Sequence, residues 1–181
     1  GTEILRQTPP ERFIINFRAS YKEEMGKVIN TLLKSGLSTE QIAFFSQDDD
    51  YGNSGFIGAI EAYAVNKLTL NEAPTHGRYP RNTLDIEKGL LDILKAKVQP
   101  KAVIIIATYK PAARLIQLAQ KLLPDTYFFN ISFVGAYALA QALNNCCDRV
   151  FISQVVPPLS NNLKAVQAYR AALHKYDQAA I

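Results

Sequence analysis

The chain has 181 residues and a mass of 20.1 kDa, enough for one domain with a substantial core. Apolar residues make up 48% and charged residues 20% of the sequence, which excludes a disordered or collagen-like chain. The net charge of +4 comes from scattered basic residues, which argues against a nucleic-acid stripe, and no apolar run reaches the ~18 residues of a membrane span.

The first part of the chain opens with a strand-like segment followed by a helix. Residues 13–17 form a short apolar run with strand composition. Ser20 and Glu23 then form a capping-box pattern, which predicts a helix that Gly36 closes. Because no basic stretch precedes an apolar one at the N-terminus, we expect no signal peptide in this chain.

A second strand and helix follow, and then an extended segment. Residues 42–46 have strand composition and lead into three consecutive aspartates. The next helix is predicted to begin near Gly52 and to carry an apolar face made of Phe56, Ile60 and Ala64. Residues 70–79 are predicted to be extended, although Pro74 and Gly77 make them a poor central strand.

The second half repeats the alternation of helices and strands. Asn82 or Thr83 is predicted to cap a helix with apolar residues at Ile86, Leu90, Ile93 and Leu94. The remaining predicted elements are strand 103–106, a helix with its apolar stripe between residues 112 and 123, strand 127–131, helix 136–143, strand 150–156 and helix 163–176.

This order of elements predicts the fold class. Strands that alternate with helices imply right-handed crossovers and a parallel sheet covered on both faces. We therefore predict a three-layer α/β/α sandwich with a mainly parallel, doubly wound sheet.

In such a sheet, ligands meet the carboxyl ends of the strands. Four loops follow predicted carboxyl ends, at residues 47–52, 107–110, 132–137 and 153–154. They are predicted to bring Tyr51, Tyr109 and Tyr137 together on one rim. Aromatic rings with a polar end suit a small organic ligand.

The aspartates Asp48, Asp49 and Asp50 allow two interpretations. They could hold Mg²⁺ in a small phosphotransferase, or they could cap the following helix, which is the favoured interpretation. Neither a Gly-rich phosphate loop nor a nucleophile elbow is present, so the chain is a weak enzyme candidate and no cofactor is expected.

The histidines and cysteines give little support for a metal or catalytic site. His76 is expected to be a solvated loop residue, and neither His76 nor His174 shows zinc-ligand spacing with the cysteines. Cys146 and Cys147 are adjacent, and they are interpreted as small residues in a turn between a helix and a strand.

The rim loops, taken together, resemble a known family. The chain is similar to the type I periplasmic solute-binding proteins of the leucine-binding-protein-like group, the extracellular ligand-binding receptors. The resemblance covers about residues 13–158, in collinear order. It rests on six motifs: FRASY (17–21), FSQDDDYG (45–52), YPRNT (79–83), ATYKPAA (107–113), ISFVG (131–135) and SQVVPP (153–158).

The resemblance implies a two-lobed receptor, of which this chain matches only the second lobe. Residues 1–19 would be a remnant of the first lobe with a hinge crossing, residues 20–156 the C-terminal ligand-binding lobe, and residues 157–181 the second hinge crossing and a terminal helix. Arg18 and Gln154 would lie at the hinges. The chain would then be an excised fragment or a naturally truncated relative.

The resemblance also implies ligand contacts at Tyr51, Thr108, Tyr109, Ser132 and Tyr137. The family usually has an acidic residue two positions after the glycine of the FVG loop, where this chain has Tyr137. A neutral phenol cannot replace that carboxylate as the partner of an ammonium group. An aromatic or carboxylate-bearing metabolite is therefore favoured over an α-amino acid.

The expected partners follow from the resemblance. They are a small-molecule ligand and either an ABC permease or the output domain of a signalling receptor, in the periplasm or outside the cell. Neither nucleic acid nor a membrane span is expected. A homodimer through exposed termini is a further prediction, because several apolar residues would lack a partner: Phe13, Ile14, Ile15, Phe17, Leu163, Val166 and Leu173.

Overall fold

The computed structural model describes residues 5–16, 18–70, 72–144 and 146–176. Helices and strands alternate through these residues. The helices are α1 (Tyr21–Lys34), α2 (Asp50–Val65), α3 (Glu87–Leu94), α4 (Tyr109–Leu122), α5 (Ala136–Leu143) and α6 (Lys164–Tyr176). The strands are β1 (Ile42–Gln47), β2 (His76–Tyr79), β3 (Ala102–Ile106), β4 (Tyr127–Asn130) and β5 (Val150–Ile152), with short 3-10 turns at Thr39–Gln41 and Ser132–Val134.

The strands form one parallel sheet in the order β2-β1-β3-β4-β5. Its register places Phe44 beside Ile104, and Ile104 beside Phe129. Helices cover both faces, which confirms the predicted three-layer α/β/α sandwich. β2 lies at an edge of the sheet, which agrees with the prediction that Pro74 and Gly77 make this segment a poor central strand.

Two apolar layers hold the sheet, because neighbouring side chains of a strand point to opposite faces. Phe44 packs with Met25 and Tyr63 under α1 and α2. Phe45 packs on the other face, with Ile93 of α3 and residues of α4 and α5. Strands β1 and β3 are buried along their whole length, which explains why β3 is entirely apolar and β1 is apolar up to Phe45.

The starts of α1 and α3 test the capping predictions. The capping box of α1 is confirmed, since the Ser20 hydroxyl accepts from the Glu23 N–H at 3.1 Å and Glu23 accepts from the Ser20 N–H at 2.7 Å. The prediction for α3 is wrong, because Ile86 occupies its N-cap position. Asn82 instead has a φ of 62° in the turn after β2, and Thr83 bonds within that turn.

The apolar face predicted for α2 is also displaced. Its buried residues are mainly small ones, while Phe56 and Ile60 are half-buried and Ala64 is exposed. The helix approaches the sheet so closely that a Cβ atom on Gly55 would lie 2.9 Å from Cδ1 of Ile106. The glycines therefore lie on the face of α2 that contacts the sheet. A prediction based on large apolar residues places this face wrongly.

Residues 13–16 do not form the predicted strand. A single turn, with the Ile14 N–H bonded to the Glu11 carbonyl, replaces it, and Phe13 and Ile15 are 87% and 90% exposed. Among the described residues, no strand pairs with them, and β2 and β5 form the edges of the sheet. Residue 17 of the predicted strand lies outside the described residues.

The last strand and helix also refine the predictions. β5 ends at Ile152 rather than at residue 156, because its neighbour β4 ends at Asn130 and offers no further pairing. Val166 of α6 is buried, whereas Leu163, just before this helix, is 56% exposed. The homodimer stays a prediction. Within the described residues, none of the helices has the length and apolar character needed to cross a membrane.

His76 is a structural residue rather than the solvated loop residue that the sequence predicted. It begins β2, its ring stacks on Phe56 with the centroids 4.0 Å apart, and its Nε2 lies 2.7 Å from the Ser46 hydroxyl. Burial lowers the pKa of His76 to about 4, and the nearby Arg78 acts in the same direction.

The low pKa of His76 predicts a loss of stability in mild acid. The unfolded chain binds this proton near pH 6.5, whereas the folded chain binds it only near pH 4, so folding becomes less favourable as the pH falls between these values. Urea unfolding at pH 7.5, 5.5 and 4.5 measures the loss. We expect the free energy of unfolding of His76→Gln to depend less steeply on pH than that of the unsubstituted chain. His174→Gln, which changes a side chain exposed on α6, should leave this pH dependence unchanged. An unchanged dependence in His76→Gln would contradict the assignment.

The contact between β2 and α3 requires Gly77. A Cβ atom at this position would lie 2.0 Å from the carbonyl oxygen of Gly89. We expect Gly77→Ala to lower the free energy of unfolding by about 3 kcal/mol, because the backbone of α3 must move. Gly26→Ala is the control, since nothing lies within 4 Å of its added Cβ atom. It should raise the free energy of unfolding by about 0.5–1 kcal/mol, because alanine favours the helical conformation of α1. Equal effects of the two substitutions in urea unfolding would show that this packing is wrong.

Candidate functional site

The carboxyl ends of the parallel strands meet along one edge of the sheet. We define the carboxyl edge as the residues that follow β1, β3, β4 and β5: residues 48–52, 107–110, 131–137 and 153–154. Tyr51, Tyr109 and Tyr137 all lie at this edge, each in the first turn of a helix. This is the location at which open α/β sheets bind ligands.

An aromatic cluster forms part of the carboxyl edge. The ring of Tyr51 lies 5.4 Å from that of Tyr21 and 4.9 Å from that of Phe133, between centroids. The Tyr51 hydroxyl donates to the Ala107 carbonyl at 3.4 Å. Burial raises the pKa of Tyr51 well above its ordinary value, so the phenol stays neutral. Phe133 is 55% exposed and presents the cluster to solvent.

The other predicted contact residues lie on the open part of the edge. Thr108 and Tyr109 are exposed at the start of α4, and the Lys110 ammonium lies 5.9 Å from the centroid of the Tyr109 ring. Tyr137 is 76% exposed, and its hydroxyl accepts from Gln141 at 2.8 Å. Tyr51, Tyr109 and Tyr137 thus share an edge, but the ring contacts described for Tyr51 are with Tyr21 and Phe133.

The sequence interpretation did not assign Tyr21 or Phe133 to the site. Phe133 stands in a loop that the sequence had already selected, directly after Ser132. Tyr21 belongs to the helix before β1, and a search restricted to loops after strands does not reach it. The capping box places Tyr21 as the first residue of α1, which fixes its ring beside Tyr51.

A chain of polar contacts joins the ends of β1, β2 and β3. The Gln47 amide donates to Asp49 at 2.5 Å, and the Tyr79 hydroxyl donates to the Gln47 side-chain oxygen at 2.9 Å. The Thr108 N–H donates to the Tyr79 hydroxyl at 3.4 Å. Because Asp49 and Thr108 are the N-cap residues of α2 and α4, this chain fixes the two helix starts relative to each other.

The aspartates serve mainly as structural groups. Asp49 accepts from the N–H groups of Tyr51 and Gly52 at 3.1 and 3.2 Å, which confirms the helix-capping interpretation. The Asp48 carboxylate forms a salt bridge with the Arg78 guanidinium at 2.8 Å, near the His76 ring that stacks on Phe56. Across the described ranges, no three acidic, histidine or cysteine side chains gather in an arrangement that could hold a metal ion.

A buried carboxylate fastens the loops after β4 and β5. Glu24, only 6% exposed, accepts from the Ser132 N–H at 2.6 Å, from the Ser132 hydroxyl at 3.1 Å and from the Ser153 hydroxyl at 2.5 Å. Ser132, predicted as a ligand contact, therefore uses its polar groups within the protein. The sequence gives no local signal for this, since Glu24 and Ser153 are 129 residues apart.

One predicted hinge residue, Gln154, lies beside this cluster. Gln154 is exposed and lines a groove of about 580 Å³ between α1 and the β4–β5 side of the sheet. Arg18 is exposed, and its carbonyl accepts from the Arg6 guanidinium. A second cavity, of about 510 Å³, lies at the opposite edge of the sheet and is lined by Thr39, His76 and Lys97 among others; we call it the amino-edge cavity.

No protein-family model matches the chain, and no curated protein matches it significantly. Solved structures do match. A possible leucine/isoleucine/valine-binding protein from Rhodopirellula baltica SH 1 is 38% identical, with a TM-score of 0.87, and the match covers 100% of this chain and 48% of that one.

Two similarities of fold alone are also informative. A solute-binding protein from R. palustris in complex with benzoate has 12% identity, a TM-score of 0.74 and coverage of 98% and 47%. A branched chain amino acid ABC transporter protein from Thermus thermophilus with bound valine has 14% identity, a TM-score of 0.72 and coverage of 96% and 44%.

These similarities agree with the sheet topology and with the six motifs. The chain spans about half the length of the structures that it matches, which corresponds to one lobe. It has the fold of a single lobe of a bilobed binding protein. The chain resembles one lobe of the type I periplasmic solute-binding proteins of the leucine-binding-protein-like group.

The contacts of Glu24 predict a graded response to substitution. Glu24→Met removes the acceptor of the Ser132 N–H, and we expect it to lower the free energy of unfolding by about 2–3 kcal/mol. Glu24→Gln keeps one acceptor oxygen, and it should cost about half as much. Denaturant unfolding measures both, and a more stable Glu24→Met variant would contradict a structural role for the carboxylate.

Proposed function

We propose that the chain is the ligand-binding C-terminal lobe of an extracytoplasmic solute-binding receptor that serves an ABC importer and catalyses no reaction. Residues 20–156 form the lobe, the flanking residues 1–19 and 157–181 belong to the two hinge crossings, and the hinge residues are Arg18 and Gln154. The partners are a small-molecule ligand and an ABC permease, in the periplasm or at the cell surface. The whole-chain similarity to a possible leucine/isoleucine/valine-binding protein supports this assignment.

The single observation that carries the proposal is the exposed aromatic surface of the carboxyl edge. Phe133, Tyr109 and Tyr137 are 55%, 36% and 76% exposed there, and Tyr51 packs beneath Phe133. Isolated exposed aromatic residues are common, but several rings at the ligand edge of a parallel sheet favour a recognition surface. Thr108, exposed next to Tyr109, adds a hydroxyl group to this edge.

The groups around Tyr109 and Tyr137 favour a carboxylate-bearing metabolite, since Asp49 of the edge caps α2 and Asp48 pairs with Arg78. Lys110 places an ammonium group near the Tyr109 ring, where it can pair with a ligand carboxylate. Tyr137 stands where the family usually has an acidic residue, and Glu24 already accepts three hydrogen bonds. The edge therefore suits an aromatic or aliphatic carboxylate better than the ammonium group of an α-amino acid.

Saturation-transfer NMR with benzoate, valine and a medium-chain fatty acid tests this function. We expect at least one carboxylate to contact the protein with a dissociation constant in the millimolar range, because one lobe covers only one side of the ligand. Tyr109→Ala should weaken the signal, whereas Tyr169→Ala, which removes an exposed tyrosine from α6, should not. Failure of all three classes to bind would contradict the proposal, and micromolar binding would contradict its one-sided geometry.

A charge at position 137 tests how the ligand is selected. We expect Tyr137→Glu to strengthen binding of valine on the order of tenfold, since it supplies a carboxylate for the ligand ammonium group. Tyr137→Gln is the matched neutral control and should not strengthen it. Equal affinities of the two variants for valine would show that residue 137 does not face the ligand.

A further inference from the structure

Cys146 and Cys147 are the only cysteines of the chain, and the fold holds their side chains together. They lie between α5 and β5, away from the residues of the carboxyl edge. Both are free thiols, with Cys146 exposed and Cys147 half-buried. Their sulfur atoms lie 2.8 Å apart, so both side chains point into the same space.

The surrounding residues fix this segment at both ends. Asn144 and Arg149 adopt φ values of 47° and 54°, so the backbone turns sharply before and after the two cysteines. The Arg149 guanidinium donates to the Pro124 carbonyl and to Asp125, in the connection between α4 and β4. Asp148 accepts from Gln120 of α4. These contacts hold the thiols against α4.

A cavity gives a reagent access to both sulfur atoms. It has a volume of about 340 Å³ and is lined by Cys146 and Cys147 together with Gln117, Gln120 and Lys121 of α4. Burial and the neighbouring Cys146 raise the pKa of Cys147 to about 12, while Lys121 acts in the opposite direction. Cys146 is therefore the thiol that reacts first, since it is the exposed one and Cys147 holds its proton.

We propose that Cys146 and Cys147 form a reversible redox site, which closes to a vicinal disulfide by exchange with a small-molecule or protein disulfide. The Cys146 thiolate attacks one sulfur of the oxidant and displaces the other as a thiolate, which takes up a proton. Cys147 then loses its proton and attacks the Cys146 sulfur, which releases the second half of the oxidant as a thiol. The two cysteines lose two electrons and two protons, and the oxidant becomes two thiols.

Adjacency of the two cysteines makes this bond reversible. A disulfide usually joins Cα atoms about 4.4–6.8 Å apart, whereas consecutive Cα atoms are only about 3.8 Å apart across a trans peptide. The closed form is therefore strained and easily reduced. Strained, exposed disulfides of this kind are labile ones rather than permanent links, so the site would respond to the redox state of the surroundings. The inference does not depend on the proposed ligand.

Oxidised glutathione provides the test, with intact-mass spectrometry and thiol alkylation as the readouts. For the chain treated under anaerobic conditions, we expect a monomer that has lost the mass of two hydrogen atoms and both reactive thiols, and that dithiothreitol restores. Since the chain has no other cysteines, this mass identifies the bond. A persistent glutathione adduct, a covalent dimer or two unreacted thiols would each overturn the proposal.

Serine variants separate the two steps of the exchange. Cys147→Ser should stop at the glutathione adduct, because Cys146 attacks and nothing resolves the product. Cys146→Ser should form an adduct at least tenfold more slowly, because the remaining thiol is half-buried and protonated. Circular dichroism should show both variants folded, since the substitutions lie in a surface turn. Equal adduct rates for the two variants would overturn the assignment of Cys146 as the attacking thiol.

Discussion

The burial of β1 and β3 on both faces is the constraint on which the rest of the structure depends. Their side chains point alternately into the layer under α1 and α2 and into the layer under α3, α4 and α5. A strand buried on both faces cannot turn a polar residue away from the core, so polar groups collect where the strands end. Because all strands are parallel, those ends lie on one edge of the sheet.

Buried polar contacts hold the residues of that edge in fixed positions. The chain from Asp49 through Gln47 and Tyr79 to Thr108 joins three strand ends, and Glu24 joins the loops after β4 and β5. Such networks stabilise one arrangement when every member has a partner. Among the rings that face solvent at the edge, Tyr109 and Tyr137 are thus attached to helix starts, and Phe133 to the 3-10 turn that Glu24 holds at Ser132.

The sequence predicted the features that depend on residues close together in the chain. It did not predict the features that depend on contacts between residues distant in the chain. The alternation of elements predicted the fold class, the Ser20 capping box predicted the start of α1, and the capping role of Asp49 was the favoured interpretation. The stack that buries His76 and the placement of Tyr21 beside Tyr51 depend on pairs of elements distant in sequence, so no local pattern marks them. Residues 13–16 have strand composition, but composition alone cannot provide a neighbouring strand.

We propose that the carboxyl edge, with its aromatic rings and exposed helix starts, is the ligand face of this lobe. Amide chemical shifts of the isotope-labelled chain, followed during titration with a carboxylate that binds, test this claim most directly. We expect the shifts to cluster at residues 51, 108–110 and 133–137. Shifts confined to the amino-edge cavity, around Thr39, His76 and Lys97, would contradict it.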